Sequence, residues 1–173
     1  MKWFNHLLIA GSTCAVVAPE LVPVALLGST APDWLEWLSG ALGRKVKHRT
    51  VTHVVTYWVA AMLFFGLLWD FHGIGMAFAY GGFTHVFADS LTIMGVPLLP
   101  GSDRRTNLFG GRLRTGEMGE FVVAGGIAAA CFFVAGNLHT REDFFPFFYG
   151  WGDLYQKGVI DAYEWKQNRL NFI

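Results

Sequence analysis

Apolar residues in this chain come in long unbroken runs rather than in alternation. No charge falls between Val54 and Trp69, or between Phe121 and Leu138. Phe71 to Ala88 has only His72 and His85 as ionisable groups, and the apolar character resumes from Ser90 to Pro100. At about 1.5 Å of rise per residue, each run crosses or nearly crosses a hydrocarbon layer about 30 Å thick. The pattern predicts three main helices, about 52–70, 73–95 and 119–138. The first of these is expected to start at Thr50 or Thr52, whose hydroxyls can cap free amides. Before them, the apolar stretch Leu7–Ala18 is interrupted by Pro19-Glu20-Leu21-Val22-Pro23 and resumes from Val24 to Leu27. Proline removes a backbone donor and disfavours helix at the residue before it, so a bend is expected there. A cleaved signal peptide is the competing reading of residues 1–18. Gly11, Ala15 and Ala18 would permit cleavage, but the leading segment has only Lys2. After Leu138 the residues Phe144, Phe145, Phe147, Phe148, Tyr149, Trp151, Tyr155, Tyr163 and Trp165 are mixed with charges. That composition suits an aromatic segment lying at headgroup level. The chain thus divides into a membrane-embedded part, 1–138, and an interfacial tail, 139–173.

Composition supports the same class. The 173 residues are 53% hydrophobic and 15% charged, with a mean hydropathy of +0.38. So much apolar surface excludes disorder, and so few charges would not cover the exterior of a water-soluble domain. The 13 basic residues balance the 13 acidic ones, so net charge gives no sign of a nucleic-acid partner. Cys14 and Cys131 lie far apart in apolar surroundings and form no metal or redox motif. The expected fold is an all-α, polytopic membrane bundle with a broken N-terminal hairpin, three main spans and the aromatic tail.

The basic residues cluster. Arg44, Lys45, Lys47 and Arg49 lie in one connection; Arg104, Arg105, Arg112 and Arg114 lie in another. Two spans separate these connections, so both emerge on one side, which the positive-inside rule makes cytoplasmic. Loops 40–52 and 101–115 are therefore expected to face the cytoplasm.

A charge at the centre of a bilayer costs about 2.5–3.5 kcal/mol on insertion scales, so ionisable residues within spans mark candidate sites. At about 100° per residue, His85, Asp89 and Thr92 share a narrow stripe, and Gly81 on the same stripe leaves room for something bulky. An imidazole and a carboxylate one turn apart can hold a divalent ion together. A buried His–Asp hydrogen bond between helices is the plainer alternative. Three further clusters lie toward the same leaflet: Lys47-His48-Arg49-Thr50-Val51-Thr52-His53, Pro32-Asp33-Trp34-Leu35-Glu36, and Gly116-Glu117-Met118-Gly119-Glu120. Taken singly, the acidic clusters read as a solvated connection and as carboxylates complementing a helix start. Their convergence with His85 and Asp89 is what a hard-to-borderline divalent cation requires. Gly125, Gly126 and Ala128 to Ala130 read as a close helix-packing surface.

These residues together resemble the YdjM family of inner-membrane-associated, metal-dependent hydrolases. The likeness runs through His6-Leu7-Leu8, Pro32-Asp33, His48-Arg49-Thr50-Val51-Thr52-His53, His85 to Thr92 with Gly95 to Pro100, and Gly116 with Glu120. Two departures stand out. Leu35 and Glu36 replace an aspartate and a histidine of the family's pattern, and Val54 replaces a serine. A more distant likeness, by analogy only, is to all-helical zinc phospholipases C and single-strand nucleases. The resemblance implies His6, Asp33, His48, His53, His85, Asp89 and Glu120 as ligands or near-ligands of one or more divalent ions, zinc first among them. A straight helix from His6 to Asp33 would separate them by roughly 40 Å. The resemblance therefore implies that residues 3–18 and 23–30 run in opposite directions about the Pro19–Pro23 break.

The expected activity is hydrolysis of a membrane phosphoester or phospholipid from the cytoplasmic leaflet. A bound ion would lower the pKa of its water toward neutrality. Asp33 or Glu120 is the expected general base. Arg49, Arg104 and Arg105 are expected to meet a phosphate, and Thr52 and Thr92 to hydrogen-bond to the ligands. The expected partners are the membrane, the lipid or phosphoester substrate, and a second copy or a membrane complex. Two other classes compete: a noncatalytic membrane scaffold that keeps a structural metal, and a small metal-transport unit.

Overall fold

The computed structural model describes residues 1–43, 49–70, 73–102 and 104–138, with scattered positions between 155 and 166. His48, His72, His139 and nearly all of the expected tail 139–173 lie outside the described residues. The described chain is helical, as expected: α1 (Trp3–Val17), α2 (Val22–Ala41), α3 (Val55–Leu67), α4 (Ile74–Ser90) and α5 (Met118–Leu138). A small hairpin joins α4 to α5, with β1 (Val96–Pro97) antiparallel to β2 (Arg105–Thr106).

The proline break does what its chemistry predicts. Pro19–Leu21 forms a single 3-10 turn, and α2 then packs back along α1, with Leu26 and Val22 lying over Gly11. Helix α2 continues through Pro32 to Ala41, well past the expected hairpin arm. The tightest crossing is between α2 and α4. A Cβ on Gly28 would sit 2.1 Å from the Phe78 carbonyl oxygen, and one on Gly81 would sit 2.1 Å from that of Ala25. The bulky object that Gly81 makes room for is therefore helix α2 itself.

Of the three expected spans, one appears at full length. Met118–Leu138 has 21 residues and is the one described helix long and apolar enough to cross a membrane. Many of its apolar side chains, among them Phe121, Val122, Phe133 and Leu138, are exposed. Helix α3 has 13 residues and α4 has 17, short of the ~20 that span a bilayer. The ends of both are set by contacts that hydropathy does not register. Val54 is extended, and neither Thr50 nor Thr52 caps the helix. Asp70 accepts hydrogen bonds from the backbone N–H groups of Gly75 (2.8 Å) and Met76 (3.1 Å), so it caps α4. Beyond Ser90, the Asn107 amide holds the carbonyls of Thr92 and Ile93, and the chain turns at Gly95 with φ +61°. The expected packing surface on α5 is also only partial. Ala124 and Ala128 are buried, whereas Gly125 and Gly126 face open space.

Candidate metal centre

At the end of the bundle nearest the start of α5, four segments send ionisable side chains into one cavity of about 310 Å³. His6 comes from α1, Asp33 and Glu36 from α2, His85 and Asp89 from α4, and Arg49 from the chain before α3. His53, on the 3-10 turn Val51–His53, completes the group through its contact with Asp33. His6, His53, His85 and Asp89 are at most 2% exposed.

Two overlapping sets have the proximity that a cation needs. One ligand atom each from His6, His85 and Asp89 lie within 4.8 Å of one another, and so do atoms of Asp33, His53 and His85. His85 Nε2 is 3.7 Å from Asp89 Oδ2 and 3.8 Å from Asp33 Oδ1. His53 Nε2 is 3.4 Å from Asp33 Oδ1, and His6 Nε2 is 3.4 Å from Asp89 Oδ1. The His6 and His85 rings stack, with centroids 3.7 Å apart and planes 8° from parallel.

The orientation of His85 follows from a backbone contact. Its Nδ1 lies 2.6 Å from the Ser29 carbonyl oxygen, which only accepts, so Nδ1 carries the proton and Nε2 the lone pair. Pro32 opens the helical ladder of α2 beside Ser29, and the Gly28–Gly81 crossing brings that carbonyl within reach. His85 Nε2 and His6 Nδ1 are buried and have no hydrogen-bond partner among the described residues. A buried polar atom with no partner costs about 1–3 kcal/mol, and a cation would use the lone pair on Nε2. By donor type, burial and the fixed tautomer, these residues fit a divalent metal.

A second layer of contacts fixes the remaining groups. Glu36 Oε1 lies 3.0 Å from His53 Nδ1 and accepts from the Thr52 hydroxyl (3.0 Å) and the Arg49 N–H (2.8 Å). Arg49 has φ +58°, a left-handed backbone that a non-glycine residue adopts only under tertiary constraint. Its guanidinium donates to Asp89 Oδ1 (2.9 Å) and to the Thr92 hydroxyl (3.2 Å). Thr92 in turn donates to the Asp89 carbonyl at 2.7 Å. Burial works against ionising Asp33, but the hydrogen bond and charge of His53 outweigh it and hold its pKa below the ordinary carboxylate range. Burial likewise opposes a charged His53, yet the carboxylates of Asp33, Glu36 and Asp89 raise its pKa.

Glu120 stands apart from these sets. It is fully buried, and its carboxylate accepts from the Lys2 N–H, the Asn5 side-chain amide (2.6 Å) and the Gly116 N–H (2.6 Å). This ties α1 to the start of α5, while the Met1 amine bonds to Asp89. Arg104 is exposed and lines neither this cavity nor its neighbour, whereas Arg105 lines the neighbouring one. The sequence places Glu36 in an acidic cluster without giving it a role, and it does not single out Asn5 or Ser29. Glu36 was within reach, because it follows Asp33 by three residues on one helical face. Ser29 acts through its backbone and gives no sequence signal.

A bundle of helices with one long, exposed apolar helix, and a buried His/Asp cavity at its end, defines a membrane-associated helical protein with a candidate metal centre. The sequence matches the family of YdjM inner membrane proteins over residues 1–149, and the chain belongs to that family. The inner membrane is where that family places it. No curated protein and no solved structure matches the chain. Neither comparison supports the distant likeness to zinc phospholipases C.

Proposed function

We propose that the chain is a metal-dependent hydrolase acting on a membrane phosphoester or phospholipid from the cytoplasmic leaflet. One observation carries this reading: His85 Nε2 is buried, unpartnered and held in the ligating tautomer beside Asp89 and Asp33. In this proposal His6, His85 and Asp89 hold the ion, zinc being the first choice for such donors. When bound, the ion polarises the scissile bond and acidifies water. Asp33 takes the proton of the attacking water. It is the most exposed carboxylate of the cavity, at 16% against 11% for Glu36 and 2% for Asp89. His53 braces Asp33, and Glu36 braces His53. Arg49 steadies Asp89, and Glu120 positions α1, so that His6 reaches the cavity.

The cytoplasmic assignment rests on charge. Arg104, Arg105, Arg112 and Arg114 precede α5, and the centre lies at that end of the helix. A multi-pass arrangement requires α3 and α4 to cross together with their apolar flanks.

A noncatalytic scaffold with a structural ion is the second reading, and it is favoured by the departures at Leu35 and Val54. Both side chains are accommodated as apolar filler. Leu35 packs against the Ala31, Trp58 and Val86 cluster, and Val54 is 2% exposed. Metal analysis of detergent-purified protein, alongside phospholipid and phosphodiester turnover, tests the proposal. Wild type is expected to retain metal and release product, Asp33→Asn to keep metal and lose turnover, and His85→Ala and Asp89→Ala to lose both. Retention of metal without any product would establish the scaffold.

A further inference from the structure

Arg49 lines two cavities. The first holds the carboxylates of Asp33, Glu36 and Asp89. The second, about 430 Å³, lies between the chain before α3 and the β1–β2 hairpin, and none of its described lining residues is acidic. Its polar wall is Arg49, Thr50, Tyr57, Ser102 and Arg105. Arg49 thus stands between a carboxylate-rich space and one with no acidic side chain among its described lining residues.

Arg105 supplies the observation that calls for a ligand. Its Nη1 is buried and has no hydrogen-bond partner among the described residues. Its backbone is pinned opposite Pro97 in the β1–β2 pair, so the guanidinium starts from a fixed stem. A desolvated guanidinium N–H is satisfied best by an anionic oxygen, and the planar fork of arginine matches two oxygens of a phosphate. Thr50, Tyr57 and Ser102, which carry hydroxyls, line the same space. At the lip, Val51, Tyr57 and Leu99 are exposed. A basic pocket with an apolar lip suits an anion carried on an apolar body.

We infer that this second cavity is a phosphate-binding subsite, in which Arg105, with Arg49 in the shared wall, holds a phosphate group of the molecule that the adjoining centre acts on. Its role as a substrate subsite rests on the hydrolase reading, whereas the binding of phosphate does not. The phosphate belongs either to a lipid headgroup or to a soluble phosphoester.

The test uses the full chain in dodecyl maltoside micelles, which carry no phosphate, incubated with Zn²⁺ and desalted, with inorganic phosphate titrated by calorimetry. Arg105→Gln is expected to weaken phosphate binding by about tenfold or more, with metal content and melting temperature unchanged. Should Arg105→Gln fold poorly, Arg105→Lys keeps the charge without the fork and is expected to bind phosphate more weakly than wild type. Repeating the titration in micelles containing phosphatidylglycerol separates the two sources. Competition that disappears in the Arg105 variant identifies a lipid headgroup, and unchanged affinity identifies a soluble phosphoester. Equal phosphate affinity in wild type and variant, or no phosphate binding by folded protein, overturns the subsite. A preparation that binds phosphate through Arg105 but retains no metal ends the hydrolase reading and leaves the subsite standing.

Discussion

The imidazole of His85 donates from Nδ1 to the carbonyl of Ser29 at 2.6 Å, across the closest helix crossing in the bundle. With Nδ1 committed, only Nε2 can bind an ion. Yet both candidate donor sets, His6–His85–Asp89 and Asp33–His53–His85, include His85. A terminal imidazole nitrogen serves one ion, so the two sets exclude each other as complete three-residue sites. The expected stoichiometry is a single tightly held ion per chain, measured by elemental analysis after extensive dialysis. Two such ions would show that the set without His85, either His53 with Asp33 or His6 with Asp89, holds its ion through the remaining donors.

The crossing that makes this contact has no slack. Gly81→Ala places a methyl group against the Ala25 carbonyl, and the helices must separate. The expected cost is about 1–3 kcal/mol, as for other overpacked interiors, together with loss of bound metal as Ser29 withdraws from His85. Gly125→Ala, which meets nothing, is expected to leave both unchanged. Denaturant titration and metal analysis of the two variants in parallel provide the check.

Glu36 is bonded to His53, Thr52 and Arg49, and it lies in the cavity without belonging to either donor set. Partners that orient a ligand or base typically contribute 10–100-fold to metal affinity or activity. Glu36→Gln is expected to lower turnover, or metal affinity if His53 is a ligand, by about that factor. Competition with a chromophoric chelator measures the affinity, and product release measures the turnover.

For Glu120, the three hydrogen bonds it accepts set the expectation. Glu120→Ala leaves the Asn5 amide and the Lys2 and Gly116 N–H groups without their acceptor, at a cost of about 3 kcal/mol or more. Glu120→Gln is expected to be milder, because one amide oxygen remains. If Glu120 were a metal ligand, Glu120→Gln would shed the ion at unchanged stability. The contrast between melting temperature and metal content separates the two roles.

How far the sequence anticipated this arrangement depends on the range of the interactions involved. The His85–Asp89 spacing and the Pro19–Pro23 break are local, and both are visible in a single stretch of chain. The ends of α3 and α4 are not, because Asp70 and Asn107 act through hydrogen bonds to backbone that hydropathy ignores. Glu120 was implied as a ligand by the family resemblance, whereas taken alone it read as a carboxylate complementing a helix start. Its three donors come from Lys2, Asn5 and Gly116, two of them more than a hundred positions away. Arg105 was separable from Arg104 only once the β1–β2 register showed which of the two lines a cavity.

The clasp between Glu120 and the first turn of α1 also orders events in time. Helix α1 is synthesised more than a hundred residues before its acceptor, so its first turn must wait for that partner. Until then His6 has nothing to hold it in place. The end of the bundle that carries the candidate metal centre would therefore close late, when α5 arrives, and a nascent chain stalled before that point would have its histidines and carboxylates unassembled.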